Sequence, residues 1–177
     1  VKRIVIAACA FVLLACTNSP PAKPVPDTTE GGPLIARFTA VIWPSIVDNR
    51  GHGQGDPQSA NPRKVKFWSV VDPGADANLQ DEAKALGTTT APDGAILTGP
   101  GDSIKLVNAS VTSHDGSLAS VAACYTYTSK TNADLASKGP GSPMASEVTF
   151  TLHKTDDWLV QSISNDHVVP SCQSNKA

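Results

Sequence analysis

The chain has 177 residues, a formal net charge of −2 and 17% charged residues. That length suffices for one domain with its own core. The near-neutral charge gives no electrostatic footprint for nucleic acid, and an apolar share of 40% excludes a wholly disordered chain.

Lys2 and Arg3 precede an apolar run over residues 4–14, and Leu13-Leu14-Ala15-Cys16 closes it. The run is too short to span a bilayer, which takes about 20 helical residues, and has the length of a signal-peptide core. A Val at position 1 is what a bacterial GTG start gives when read literally. The tetrapeptide resembles a bacterial lipobox. That resemblance implies a diacylglyceryl group, with its two acyl chains, on the Cys16 sulfur, cleavage between Ala15 and Cys16, and often acylation of the new amine by a third chain such as palmitate. Several acyl chains give stable attachment where one does not. The expected location is the outer face of the plasma membrane, in the cell envelope. An ordinary secretory signal is the alternative.

Cleavage removes Cys9 and lipid consumes Cys16, which leaves Cys124 and Cys172. A pair of cysteines in an oxidising compartment predicts one disulfide, and two free thiols are the alternative. Residues 17–33 are Pro-rich and nearly devoid of apolar side chains, so they read as an extended, disordered tether. The expected organisation is therefore a signal peptide over 1–15, a lipidated Cys and tether over 16–33, and one folded domain over 34–177.

Within that domain, Leu34, Ile35, Phe38, Val41, Ile42 and Trp43 fall on one face at helical spacing. Pro33 suits a first turn, and Pro44 should end or kink the helix. The β-branched content keeps a strand open as an alternative. Residues 49–63 form a Gly- and Pro-rich loop. Gly51, Gly53 and Gly55 alternate there without the Gly-Lys-Ser/Thr of a phosphate loop. His52 and Asp56 are two ligand-type residues, too few for a metal site. Residues 65–71 read as a short helix or strand. Residues 79–86 read as a helix of strong formers closed by Gly87. Residues 95–98 read as a short strand between turns.

The last third holds three strand-like runs, over 104–112, 118–128 and 147–153, with Trp158-Leu-Val-Gln-Ser-Ile163 re-entering the core. His114-Asp115-Gly116-Ser117 is a hairpin signal. In the second run Ala119, Val121, Ala123, Tyr125 and Tyr127 share a face, and in the third Val148, Phe150 and Leu152 do. Residues 130–146 read as a long exposed loop, and Lys154-Thr-Asp-Asp157 as a turn. Asp156 and Asp157 are a cation pair on one reading and turn formers on the other.

Over residues 34–172 the order of these features is similar to the nuclear transport factor 2-like (cystatin-like) fold of small actinobacterial lipoproteins. The resemblance rests on the helical first half, Ala95-Ile-Leu-Thr-Gly99, the Ala-rich strand carrying Cys124, and the ending Asp156-Asp157-Trp158-Leu159-Val160. It implies an α+β domain with N-terminal helices packed on a curled antiparallel sheet, a cone around a cavity. The scaffold hosts enzymes, carriers and interaction modules alike, so fold assigns no function.

The chemistry in the sequence is sparse. The Gly-x-Ser-x-Gly, His-Glu-x-x-His, Cys-x-x-Cys and Ser-x-x-Lys patterns are absent, and the four histidines are scattered. No catalytic, metal-ligating or cofactor-binding set emerges. Tyr125, Tyr127, His153 and Trp158 are the candidate cavity-lining residues, against the alternative that the tyrosines pack the sheet and His153 sits on its polar face. The leading expectation is a non-catalytic envelope lipoprotein that binds a protein partner. The alternatives are an apolar-ligand carrier, a cyclase- or isomerase-like enzyme using the cavity, and a phage- or plasmid-encoded exclusion lipoprotein.

Overall fold

The computed structural model describes residues 28–48, 61–90, 96–97, 104–129 and 141–173. Helix α1 (Thr28–Arg37), a π-helical turn (Phe38–Ile42) and α2 (Trp43–Asp48) run on without a break. The helix begins earlier than the tether reading of 17–33 allows. Gly31 lies against the strand that carries Val111, within 3.8 Å of Val111 Cγ2 at its Cβ position, so packing overrides the weak propensity of the Gly-Gly-Pro segment. Pro44 does not end the helix. Its ring would clash with the carbonyl four residues back in a regular α-helix. Here the Trp43 N–H reaches five residues back to Phe38 O, and this widened turn takes the proline into the helix. Leu34, Phe38, Ile42, Trp43 and Ile46 face inward.

Helix α3 (Pro62–Trp68) starts with the Asn61 side chain accepting from Arg63 N at 3.0 Å. Helix α4 (Leu79–Ala85) stops at Gly87, whose φ of +69° suits a residue without Cβ. The two-residue strands β1 (Thr89–Thr90) and β2 (Ile96–Leu97) pair antiparallel.

The sheet is an antiparallel meander of β3 (Lys105–Asp115), β4 (Leu118–Ser129), β5 (Ser142–Lys154) and β6 (Trp158–Val169), neighbours in that order. Gly116 (φ +55°) and Ser117 make the expected first hairpin. Strand β5 starts at Ser142, inside the segment read as a loop from sequence. Pro143 fits there because β6 ends at Val169, opposite Ala145, and leaves no ladder on that side of Pro143.

Helices cover one face, giving an α+β domain, and the sheet is not strongly curled. The expected curl is corrected accordingly. Phe38, Trp43, Tyr125 and Phe150 fill the interface, with ring centroids 5.0 Å (Phe38–Phe150), 5.4 Å (Trp43–Tyr125) and 6.0 Å (Trp43–Phe150) apart.

A Cβ on Gly87 would lie 3.1 Å from Ile104 Cδ1 and 3.4 Å from the Tyr127 ring. Gly87→Ala is therefore expected to destabilise the domain by about 1–2 kcal/mol from the left-handed backbone alone, and by more with the clash. A urea midpoint unchanged from the parent would refute this account of the α4 terminus.

Candidate functional site

Tyr125 and Tyr127 point into the helix-covered side of the sheet, with rings 5.7 Å apart. The Tyr125 hydroxyl accepts from Gly87 N–H at 2.7 Å and donates to Asp166 Oδ1 at 2.7 Å. Tyr127 OH shares a 3.3 Å bond with Ser146 Oγ. Asp166 reaches this position through a bulge. Asn165 and Asp166 together oppose Val148, and Asn165 takes φ +56°. Burial, then the Asp166 carboxylate, push the Tyr125 hydroxyl far above its ordinary range. It stays protonated and holds three segments together.

Trp158 lies on the same face at the far end of the sheet, where its ring meets His114 at 5.5 Å and Lys154 Nζ at 5.7 Å. Arg37 Nε donates to its carbonyl at 3.0 Å, and Arg37 Nη1 pairs with Asp157 at 3.2 Å. His153 pairs with Leu118, on the opposite face from the tyrosines. Its Nδ1 lies 2.7 Å from Asp72 Oδ2, and Asp72 Oδ1 accepts from Gly74 N–H at 2.6 Å. The His153 hydrogen bond, then that of Gly74, hold the buried Asp72 carboxyl below the usual carboxylate range. Of the four residues named as cavity lining, the structure brings only the two tyrosines together.

The outer face carries Cys124, which is bonded to Cys172 with Cα atoms 5.6 Å apart. This staple lays the end of the chain across the sheet, where Asn108 Nδ2 donates to Gln173 O. A cleft of ≈ 600 Å³ opens beside the tail, walled by Val107, Pro143, Met144, Ala145, Val168 and the tail itself. Among the described residues that line it none carries a charged side chain, and Val107 and Val168 are exposed. A second, polar groove of ≈ 370 Å³ lies along the tail beside Asn108, Ser110, Cys124 and Glu147.

Sequence reasoning missed Val107, Val168 and Asp166 as site residues. Val107 is the extra residue of a bulge between Leu106 and Asn108, so alternation cannot place it. Cys16, His52 and Asp56 lie outside the described residues. Asp156 and Asp157 sit in the β5–β6 turn, where Thr155 N–H bonds Asp157 O. Among the described residues no group of three or more His, Cys, Asp or Glu could hold a metal ion, and no helix is long and apolar enough to cross a membrane. No protein-family model, curated protein or solved structure matches the chain.

Cys172→Ala opens a covalent loop of 48 residues and is expected to cost about 2–4 kcal/mol. An unchanged urea midpoint in the variant would refute a structural role for the staple. The Asp72 carboxyl ionises below its unfolded value of about 3.9. Its stabilisation is therefore complete above that value and is lost as pH falls through the folded pKa. The stability difference between the parent and Asp72→Asn should be largest above about pH 4 and shrink below it. Urea unfolding over a pH series measures this, and a difference that grows on acidification contradicts the pairing.

Proposed function

We propose that this chain is a lipid-anchored protein of the bacterial cell envelope that acts by binding a partner rather than by catalysis. The observation carrying this reading is the contrast between the two sides of the sheet. The helix-covered side is packed with aromatic rings, and its tyrosine hydroxyls are committed to internal hydrogen bonds. The cleft beside the tail is open and apolar, and the described residues that line it carry no charge. Such a surface suits an uncharged apolar segment of an envelope protein. The lipobox at Leu13-Leu14-Ala15-Cys16 supports the anchor.

For the scaffold we infer a flattened variant of the nuclear transport factor 2-like architecture. Helices first, a four-stranded meander second and Trp158 at the last hairpin support that reading. A carrier of small apolar ligands is the second reading. The cleft volume of ≈ 600 Å³ favours it, lying inside the ~300–1,000 Å³ range of ligand pockets.

Fractionation and native mass spectrometry test both parts. The parent chain is expected in the membrane fraction, carrying palmitate label, and Cys16→Ala in the soluble fraction without label. A soluble parent chain would overturn the anchor. The domain purified from envelope is expected at its own mass, two hydrogens light for the Cys124–Cys172 bond. A retained apolar molecule would replace the partner-binding reading with the carrier one.

A further inference from the structure

Strand β6 ends at Val169, opposite Ala145, and the chain runs on over the outer face of the sheet as a tail. Cys172 is bonded to Cys124 of β4, and Gln173 O accepts from Asn108 Nδ2 of β3. Among the described residues, these two are the tail's covalent and hydrogen-bonded attachments beyond Val169. Pro170, Ser171 and Gln173 are exposed, and Cys172 is half-buried. None of them belongs to the packed core on the other side of the sheet.

The tail is also a wall. Pro170, Ser171 and Cys172 line the apolar cleft, while Pro170, Ser171 and Gln173 line the polar groove. With the disulfide open, one hydrogen bond remains to hold residues 170–173. A single net hydrogen bond contributes less than the conformational entropy that fixing such a segment costs. The tail then leaves the sheet, and the cleft loses the wall that faces Val107 and Val168. The two sulfurs differ in access. Cys124 is 3% exposed in a central strand, whereas Cys172 is the more open partner and sits on the segment that is free to swing away. Access decides which sulfur an incoming thiolate attacks.

We propose that the Cys124–Cys172 bond is a redox gate on the tail cleft, opened by a protein dithiol of the thioredoxin type. One thiolate of the reductant attacks Cys172 Sγ, and the Cys124 sulfur leaves and takes up a proton. The second reductant thiol then displaces Cys172 as a thiol. The reductant ends as a disulfide, and two electrons and two protons have passed to the chain. The gate's effect on binding rests on the reading of the cleft as the recognition surface. Release of the tail does not.

The test uses the full chain carrying Cys9→Ser and Cys16→Ser, with labelled valine methyl groups, before and after treatment with reduced thioredoxin. Reduction is expected to move the Val107 and Val168 signals to the positions they take in a chain that ends at Val169. The core signals of Val121 and Val148 should stay in place. Nile red, a neutral apolar probe, should bind the reduced chain about tenfold or more weakly than the oxidised one. A bond that reduced thioredoxin leaves closed overturns the proposal. So do unmoved Val107 and Val168 signals once both thiols are free, and so does a loss of the Val121 and Val148 signals, which would make the bond a condition of folding. Equal Nile red binding in both states overturns the gate's effect on binding. An oxidised chain that binds no Nile red while its tail is still released on reduction counts against the cleft as a recognition surface and upholds the release.

Discussion

The Tyr125 hydroxyl is the interaction on which this domain's assembly turns. One buried oxygen accepts from the end of α4 at Gly87 and donates to Asp166 on β6, while its ring packs against Trp43 of the long helix. Three segments far apart in sequence thus meet on a single central-strand side chain. The arrangement needs each partner's backbone to be irregular. Gly87 offers its N–H from a left-handed residue, and Asp166 faces inward because Asn165 is left-handed as well. A buried hydroxyl with both roles filled is stabilising, and one with a partner removed leaves a polar group stranded in an apolar core. Specificity of packing here rests on satisfaction of one group more than on bulk hydrophobicity.

The edge strands show how the sheet remains a bounded object. Strand β3 has bulges at Val107 and Thr112, and β6 has them at Gln161 and Asn165–Asp166. A flat edge invites pairing with another chain, and bulges twist it out of register for that. Each bulge also has a local consequence. Val107 is turned out into the tail cleft, Gln161 helps the α3–α4 loop dock, and Asp166 reaches Tyr125. The two central strands carry regular pairing throughout their shared ladder.

That division explains what the sequence could reveal. In β4 and β5 the alternation of Ala119, Val121, Ala123, Tyr125 and of Val148, Phe150, Leu152 is unbroken, and the core face is legible from it. In β3 the inward residues run Leu106, Ala109, Val111, His114, a spacing that two bulges have shifted, and no period-two reading recovers it. The helix at residues 34–48 was visible in its apolar spacing, yet Pro44 pointed to an end that the π-turn avoids. Gly87 as a helix stop and Gly116 as a hairpin residue were readable because positive φ leaves a compositional mark. The pairing of Cys124 with Cys172 followed from counting the thiols left once a cleaved and lipidated N-terminus is supposed. Asp72, Asp166 and the cleft walls were not readable, since each depends on contacts between residues dozens of positions apart.

The staple also decides what kind of surface the outer face presents. The disulfide joins the tail to β4, a central strand, rather than to the adjacent β6 from which the tail emerges. The tail must therefore cross the sheet, and its residues 169–171 wall both the apolar cleft and the polar groove that contains Glu147. Packing alone would not hold so short a segment on a face of Ser, Thr and Ala side chains, which offers little apolar area to bury. A covalent bond supplies what the hydrophobic effect does not. The two grooves differ in polarity because they lie over different parts of the same sheet, and they remain separate only while the tail stays between them. The relief of the outer face is accordingly a product of one crosslink between a strand interior and a chain end, laid over the core on the other side of the sheet.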